Sequence, residues 1–383
     1  MINSIEIKNF KSIKKKFFPL GNLNLLMGLN GMGKSSFIQT LLLLRQSDLR
    51  RGELKLNGNY TSIGTTKDAL YQYDKEQALQ FILKYGNNEE LQLDFDFKQE
   101  SDVFNLKGSQ SGTTPEFQNS SFFKEELFGN NFQYLNANRL EPNSIHNKSY
   151  TNVVTLNNVG NKGEYTTHFI EVHGNDDIIF ENLLHSKSKT IDTVTKQEIT
   201  VKSLINQVNL WMGEISPGVN IRTTAIPNSE NVLLEYTFLQ PNLGNTNRYK
   251  PNNVGFGISY ALPVVTALLA ARPNEIIIIE NPEAHIHPRG QAELGKLIAL
   301  VAMNDVQIFI ETHSDHVLNG IRVAVKENPA LEKRVIAFYF EKKVEINEQY
   351  SKITNISIDS KGELSEYPKD LLDEWSNQLI NLV

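Results

Sequence analysis

Eight consecutive residues, Gly28-Leu29-Asn30-Gly31-Met32-Gly33-Lys34-Ser35, fit the pattern G-x-x-x-x-G-K-[ST] without a gap. The glycines let backbone N–H groups turn inward around an anion, so that Asn30, Gly31, Gly33, Lys34, Ser35 and Ser36 can all face one point. Lys34 can reach the β- and γ-phosphates of a nucleotide, and the Ser35 hydroxyl can complete the shell of a Mg²⁺ ion. Two further polar runs carry chemistry. Glu280-Asn281-Pro282-Glu283-Ala284-His285-Ile286-His287-Pro288 and Glu311-Thr312-His313-Ser314-Asp315-His316 crowd carboxylates, an amide and imidazoles into short segments.

The elements around these residues fit their task. Leu23-Asn24-Leu25-Leu26-Met27 reads as a buried strand, and Ser36-Phe37-Ile38-Gln39-Thr40-Leu41 opens an apolar helix. Strand, glycine turn and helix N-terminus together aim dipoles and N–H groups at a triphosphate. Glu275-Ile276-Ile277-Ile278-Ile279-Glu280 reads as a central strand of a parallel sheet. A carboxylate at its C-terminal end would lie beside the phosphate loop and hold Mg²⁺ through water. Gln307-Ile308-Phe309-Ile310 is a second buried strand, with His313 just past its end. Asn253-Val254-Gly255-Phe256-Gly257-Ile258-Ser259-Tyr260 leads into an apolar helix over 261–271, and its glycines make a second anion-facing cradle.

Composition narrows the class. The chain has 383 residues, 40% hydrophobic and 21% charged, which describes a soluble globular protein. No apolar run reaches membrane-spanning length and the start, Met1-Ile2-Asn3-Ser4-Ile5-Glu6, lacks a leader, so the expectation is a cytoplasmic protein with no membrane partner. The absence of cysteine excludes disulfides and thiolate zinc sites. A net charge of −6 argues against a surface that grips DNA all round. Lys8, Lys11, Lys14, Lys15 and Lys16 form the densest basic cluster and read as a solvated edge hairpin.

Elsewhere the pattern predicts a strand over 4–10, another over 54–59, and a hairpin of strands 78–85 and 91–97 turning at Gly86-Asn87-Asn88. A polar loop spans 99–120 and a short core strand 132–136. The Asn- and Thr-rich middle has one helix near 176–184, a second at 202–212 and a strand at 232–238. There is no heptad run and no internal repeat.

Taken together, these residues resemble the ABC-class ATPase heads of the SMC, RecF and OLD type. Ile7-Lys8-Asn9-Phe10-Lys11-Ser12 is similar to their opening strand, residues 28–35 to Walker A, and Gly255-Phe256-Gly257-Ile258-Ser259 to the signature. Ile276–Glu280 stands where Walker B belongs, and Thr312-His313-Ser314 where the switch histidine belongs. The resemblance is closest to small bacterial AAA-family, OLD-like ATPases, several of which serve anti-phage defence. Glu280 to Pro288, Glu311 to His316, and the tail segments Gly362-Glu363-Leu364, Tyr367-Pro368 and Asp373-Glu374-Trp375 carry that likeness, while residues 142–252 match loosely.

The resemblance implies ATP and Mg²⁺ as cofactors. Lys34 would bind the γ-phosphate, Ser35 and Glu280 the Mg²⁺, and His313 would sense the γ-phosphate. Ser259, with Gly255 and Gly257, would contact the nucleotide of a second subunit, which implies a homodimer. Two departures stand out. The signature is only an analogue of Leu-Ser-Gly-Gly-Gln, and Asn281 occupies the position of the usual water-polarising glutamate. An amide can orient a water but cannot take its proton at neutral pH. Either Asn281 handles the water or Glu283 substitutes.

The implied fold is an α/β ABC-type head over 1–383, with a mainly parallel P-loop core sheet, an antiparallel N-terminal sheet and a helical insertion. Its lobes would be 1–141, 142–252 and 253–383. Two functions fit: a slow dimeric ATPase switch in anti-phage defence that controls a separately encoded effector such as a nuclease, and a RecF-like ATPase that binds DNA directly. A transporter ATPase is disfavoured by the unusual signature. His285, His287, His313 and His316 raise a rival zinc site, and Glu311 and Asp315 a nuclease site. The ATPase reading already explains the histidine loops. A built-in nuclease would need another domain after the ATPase and is not expected.

Overall fold

Alternation of apolar and polar residues sets the first strand, Ile2–Phe10, whose Ile5, Ile7 and Phe10 are fully buried. The computed structural model describes residues 1–74, 78–86, 89–97, 99–107, 115–118, 120–191, 196–240 and 242–382, without the side chains of 115–116 and 374–377. It divides into two compact units.

The first unit comprises 1–130, 335–357 and 364–383. Ile13–Pro19, Ile2–Phe10, Ala78–Tyr85 and Glu90–Asp96 form an antiparallel sheet in that order. Phe10, Phe81, Phe95 and Phe104 pack edge-on or tilted against one another in sequence, with ring centroids 5.6–6.2 Å apart. Leu23–Gly28 runs parallel to Val335–Val344, which pairs antiparallel with Gln349–Ser357. Behind the strand, helix Lys34–Gln46 buries Phe37 against Phe18, at 4.7 Å, and Phe338.

The second unit comprises 131–334 and 358–363. Phe132–Leu135, Ile276–Glu280 and Gln307–Glu311 are three parallel strands with Ile276–Glu280 in the middle. All four isoleucines of the middle strand are buried, as a strand covered on both faces requires. Helices Pro288–Val301 and Asp315–Glu327 meet at glycines, with Gly295 under the Val317 carbonyl and Gly320 under that of Ala292. Phe256–Leu269 and Leu204–Ile215 are the other long helices. The middle of the chain adds Thr166–His173 and an antiparallel group built on Val219–Ala225 and Asn231–Gln240.

Parallel strands with flanking helices make this the α/β fold expected. Three local readings change. The helix near 176–184 is only a single 3₁₀ turn, Glu181–Leu183, because the backbone around Asp176 to Ile178 bonds to Lys202 and Leu204 instead. A helix stands earlier, at Thr166–His173. Within the loop expected over 99–120, Val103–Asn105 pairs with Glu53–Lys55; residues 108–114 and 119, like the turn residues Asn87 and Asn88, lie outside the described residues. Among the described residues no helix is long and apolar enough to cross a membrane.

Candidate functional site

In the first unit, the loop after Leu23–Gly28 turns on three glycines with positive φ: 128° at Gly28, 76° at Gly31 and 104° at Gly33. Two of them also admit no side chain. A Cβ on Gly28 would lie 2.3 Å from the Phe340 carbonyl oxygen, and one on Gly33 2.3 and 2.4 Å from the hydroxyls of Ser351 and Ser12. Ser351 Oγ donates to the Met32 carbonyl at 2.6 Å and lies 2.8 Å from Ser12 Oγ, bracing the loop from outside.

Lys34 is 3% exposed, and its Nζ donates to the carbonyls of Gly28 and Leu29 at 2.8 and 2.9 Å. The ammonium is thus held inside the loop by groups that polyanion oxygens can replace. Helix Lys34–Gln46 starts on left-handed Gly33 with no side-chain cap, and Ser36 N of its first turn donates to the Gly33 carbonyl at 3.1 Å. Asn30 and Ser35 are exposed; Ser36 is buried. A cavity of about 400 Å³ adjoins Gly31 and Met32, walled by Lys67, Asp68, Tyr71 and Tyr350 among others. Buried cation, positive-φ glycines and uncapped helix form a donor set that fits a triphosphate.

In the second unit, the ends of two paired strands bring four predicted residues together. Glu280 lies opposite Glu311, and Asn281 N donates to the Glu311 carbonyl at 2.8 Å. Tyr134 OH donates to Glu280 Oε1 at 2.8 Å and Ala137 N approaches Oε2 at 3.4 Å. Burial pushes the Glu280 carboxyl above the usual carboxylate range, against the pull of Tyr134, Ala137 and Arg139. Asn281 takes a left-handed φ of 45°. Glu283 Oε1 accepts from His313 N at 2.8 Å. The other oxygen, Glu283 Oε2, and the amide oxygen of Asn281 are buried with no hydrogen-bond partner. Orphaned acceptors of this kind suit a water held for reaction.

The histidines have structural uses too. His287 caps helix Pro288–Val301 by accepting from Arg289 N, and the His285 ring packs edge-on to Tyr260 at 4.9 Å. The signature segment turns into helix Phe256–Leu269, with Gly255 as N-cap. Gly255 and Phe256 are exposed at its start. Ser259 sits a turn inward, half-buried, with its Oγ 3.4 Å from the hydroxyl of buried Tyr236.

Sequence reading missed Arg139, Tyr134 and Ser351. Arg139 is 2% exposed and donates to the Glu280 carbonyl at 2.7 Å and the Asn281 carbonyl at 3.0 Å. Nothing local marks it, because its partners lie some 140 positions away and meet it only when Phe132–Leu135 pairs with Ile276–Glu280.

The model of the AAA ATPase domain family matches residues 1–318, and that of a domain of unknown function, DUF3696, residues 332–382. The chain belongs to the AAA ATPase domain family. It is 23% identical over 343 residues to Endonuclease GajA of Bacillus cereus (strain VD045), covering 82% of this chain and 56% of that relative. It therefore spans little more than half the length of the curated relative it matches. Its fold is similar to an Smc head bound to the C-winged helix domain of ScpA, with a TM-score of 0.51 at 13% identity, covering 93% of this chain and 98% of the other. A Pyrococcus furiosus Smc head with an extended coiled coil, bound to the C-terminal domain of ScpA, gives 0.51 at 13% identity, covering 100% and 99%.

Proposed function

We propose that this chain is a slowly turning ATP-dependent switch that works as a homodimer. Lys34, Ser35 and the N–H groups of Asn30, Gly31, Gly33 and Ser36 hold the triphosphate, and the cavity walled by Tyr71 and Tyr350 takes the nucleoside end. Ser35 and Glu280 are the groups that would hold Mg²⁺, which when bound neutralises charge on the phosphates. Glu283 takes a proton from the attacking water, whose oxygen bonds to the γ-phosphorus as the bond to ADP breaks. Asn281 orients that water, and His313 reads the γ-phosphate. The start of helix Phe256–Leu269, with Gly255, Gly257 and Ser259, meets the nucleotide of a second copy.

The observation that carries this reading is the Glu283 carboxylate, pinned through one oxygen by His313 N while the other stays buried and unpaired. The base is thus displaced from its usual position to one two residues on. The motif resemblance and the endonuclease relative support a role in bacterial anti-phage defence, in the cytoplasm, with a nuclease effector. A RecF-like role on DNA is the second reading, favoured by Lys8, Lys14 and Lys15 lining one groove, though Asp74, Glu345 and Glu348 offset their charge there. Binding and hydrolysis of ATP by Lys34→Ala test the core of the proposal. Loss of both is expected; wild-type affinity with wild-type turnover would refute it.

A further inference from the structure

Arg139 is a buried cation that forms no ion pair among the described residues. Its guanidinium spends two donors on main-chain carbonyls, those of Glu280 and Asn281, while its Nε is buried without a partner. The nearby charged or ionisable groups that favour its charge are Glu283, Glu280 and the Tyr260 phenol, in that order. Burial draws the guanidinium down to about 10. Such a group costs stability unless something requires it.

Its position says what requires it. The two carbonyls flank Asn281, which stands at a φ of 45°, a conformation an asparagine adopts only at some cost. Glu283 follows two residues later. The segment carrying Arg139 is itself tied down: Asn136 N donates to the Asn161 carbonyl at 2.9 Å and Leu140 N to that of Lys162 at 3.0 Å. Tyr134 and Ala137 of the same stretch hold the Glu280 carboxylate. Residues 134–139 therefore grip the acidic turn through side chain and backbone at once.

We propose that Arg139 is a positioning residue for hydrolysis: it locks the Glu280–Asn281 backbone in the conformation that presents Glu283. The inference rests on Glu283 acting as the base. Lysine keeps the charge but, as a point donor, lacks the planar fork that meets the two carbonyls from separate nitrogens, and methionine fills the volume without charge.

Single-turnover hydrolysis with enzyme in excess, together with nucleotide affinity, separates the roles. Arg139→Met should keep ATP affinity within a few-fold and lower the hydrolysis rate about 100-fold, the scale of a small misplacement of a reacting group. Arg139→Lys should recover part of that loss. Combining Arg139→Met with Glu283→Gln should cost little more than Glu283→Gln alone, since both remove one function. An undiminished rate in Arg139→Met, or fully additive losses, overturns the proposal. Should Arg139→Met fail to fold, Arg139→Lys and its combination with Glu283→Gln decide by the same additivity. If Glu283→Gln alone hydrolyses normally, the reading of Glu283 fails. In that event a loss in Arg139→Met still shows that the clamp serves another base.

Discussion

Gly257 lies directly beneath the main-chain carbonyl of His285: a Cβ built on Gly257 would come within 2.3 Å of that oxygen. His285 is itself left-handed, with φ 62°, and its ring packs on Tyr260 and Phe256 from the same helix. The start of the signature helix and the turn carrying Glu283 are thus packed backbone to backbone, which only glycine permits. Gly257→Ala must push the 281–286 turn away. It should lower stability by about 1–3 kcal/mol, as overpacking does, and hydrolysis should fall more than ATP affinity. Thermal melting and turnover check this; a variant as stable and active as wild type would show the contact to be soft.

The pairing explains how much of the site was legible in the sequence. Motifs with local spacing were readable because their chemistry is local: the phosphate loop needs its glycines, Lys34 and Ser35 within eight positions. The strands Ala78–Tyr85 and Ile276–Glu280 were readable because period and β-branching write them directly. What stayed hidden was closure between distant segments. Gly257 reads from sequence as part of an anion-facing cradle, and its packing reason, the His285 carbonyl, lies 28 positions on. Arg139 and Ser351 sit in segments with no pattern of their own, and only tertiary pairing gives them partners. The tie between Asp176 and Leu204 likewise overrode the helical propensity around 176–184.

Glu280 predicts a pH effect. Its folded carboxyl is raised by burial, so the native state binds a proton more readily than the unfolded chain. Stability should therefore fall as pH rises from the ordinary carboxylate range through the raised value, and level off above it. Glu280→Gln removes the charge while its amide can still serve Tyr134 and Ala137. The nucleotide-free variant should melt higher than wild type at neutral pH, with the gap closing in acid, while hydrolysis is lost. A wild type that outlasts Glu280→Gln at neutral pH would contradict this.

Assembly can be tested at the helix start. Phe256 is 55% exposed beside Gly255, whereas Ser259 faces Tyr236 in its own chain. With hydrolysis blocked, ATP should drive dimerisation, and Phe256→Arg should prevent it while leaving ATP affinity nearly unchanged. Ser259→Arg should do the same but at some cost in stability, because it disturbs the Tyr236 contact. Light scattering and small-angle scattering follow mass and shape. No nucleotide-dependent change in either would count against a site completed by a second copy.

The last prediction turns on which group activates water. Glu283 has one oxygen fixed by His313 N and one buried and unpaired, while Asn281 offers only an amide. Positioned acid–base groups contribute about 10²–10⁴-fold to rate. Glu283→Gln should therefore reduce turnover by about that factor with ATP binding retained, because the amide keeps the bond from His313 N but takes no proton. Asn281→Glu should not rescue it fully, since a third carboxylate beside Glu280 and Glu311 would be raised by repulsion and serve less well as a base. In an otherwise wild-type chain the same substitution should slow hydrolysis or leave it unchanged. A marked acceleration by Asn281→Glu, with Glu283→Gln still active, would return the base to the position after Glu280.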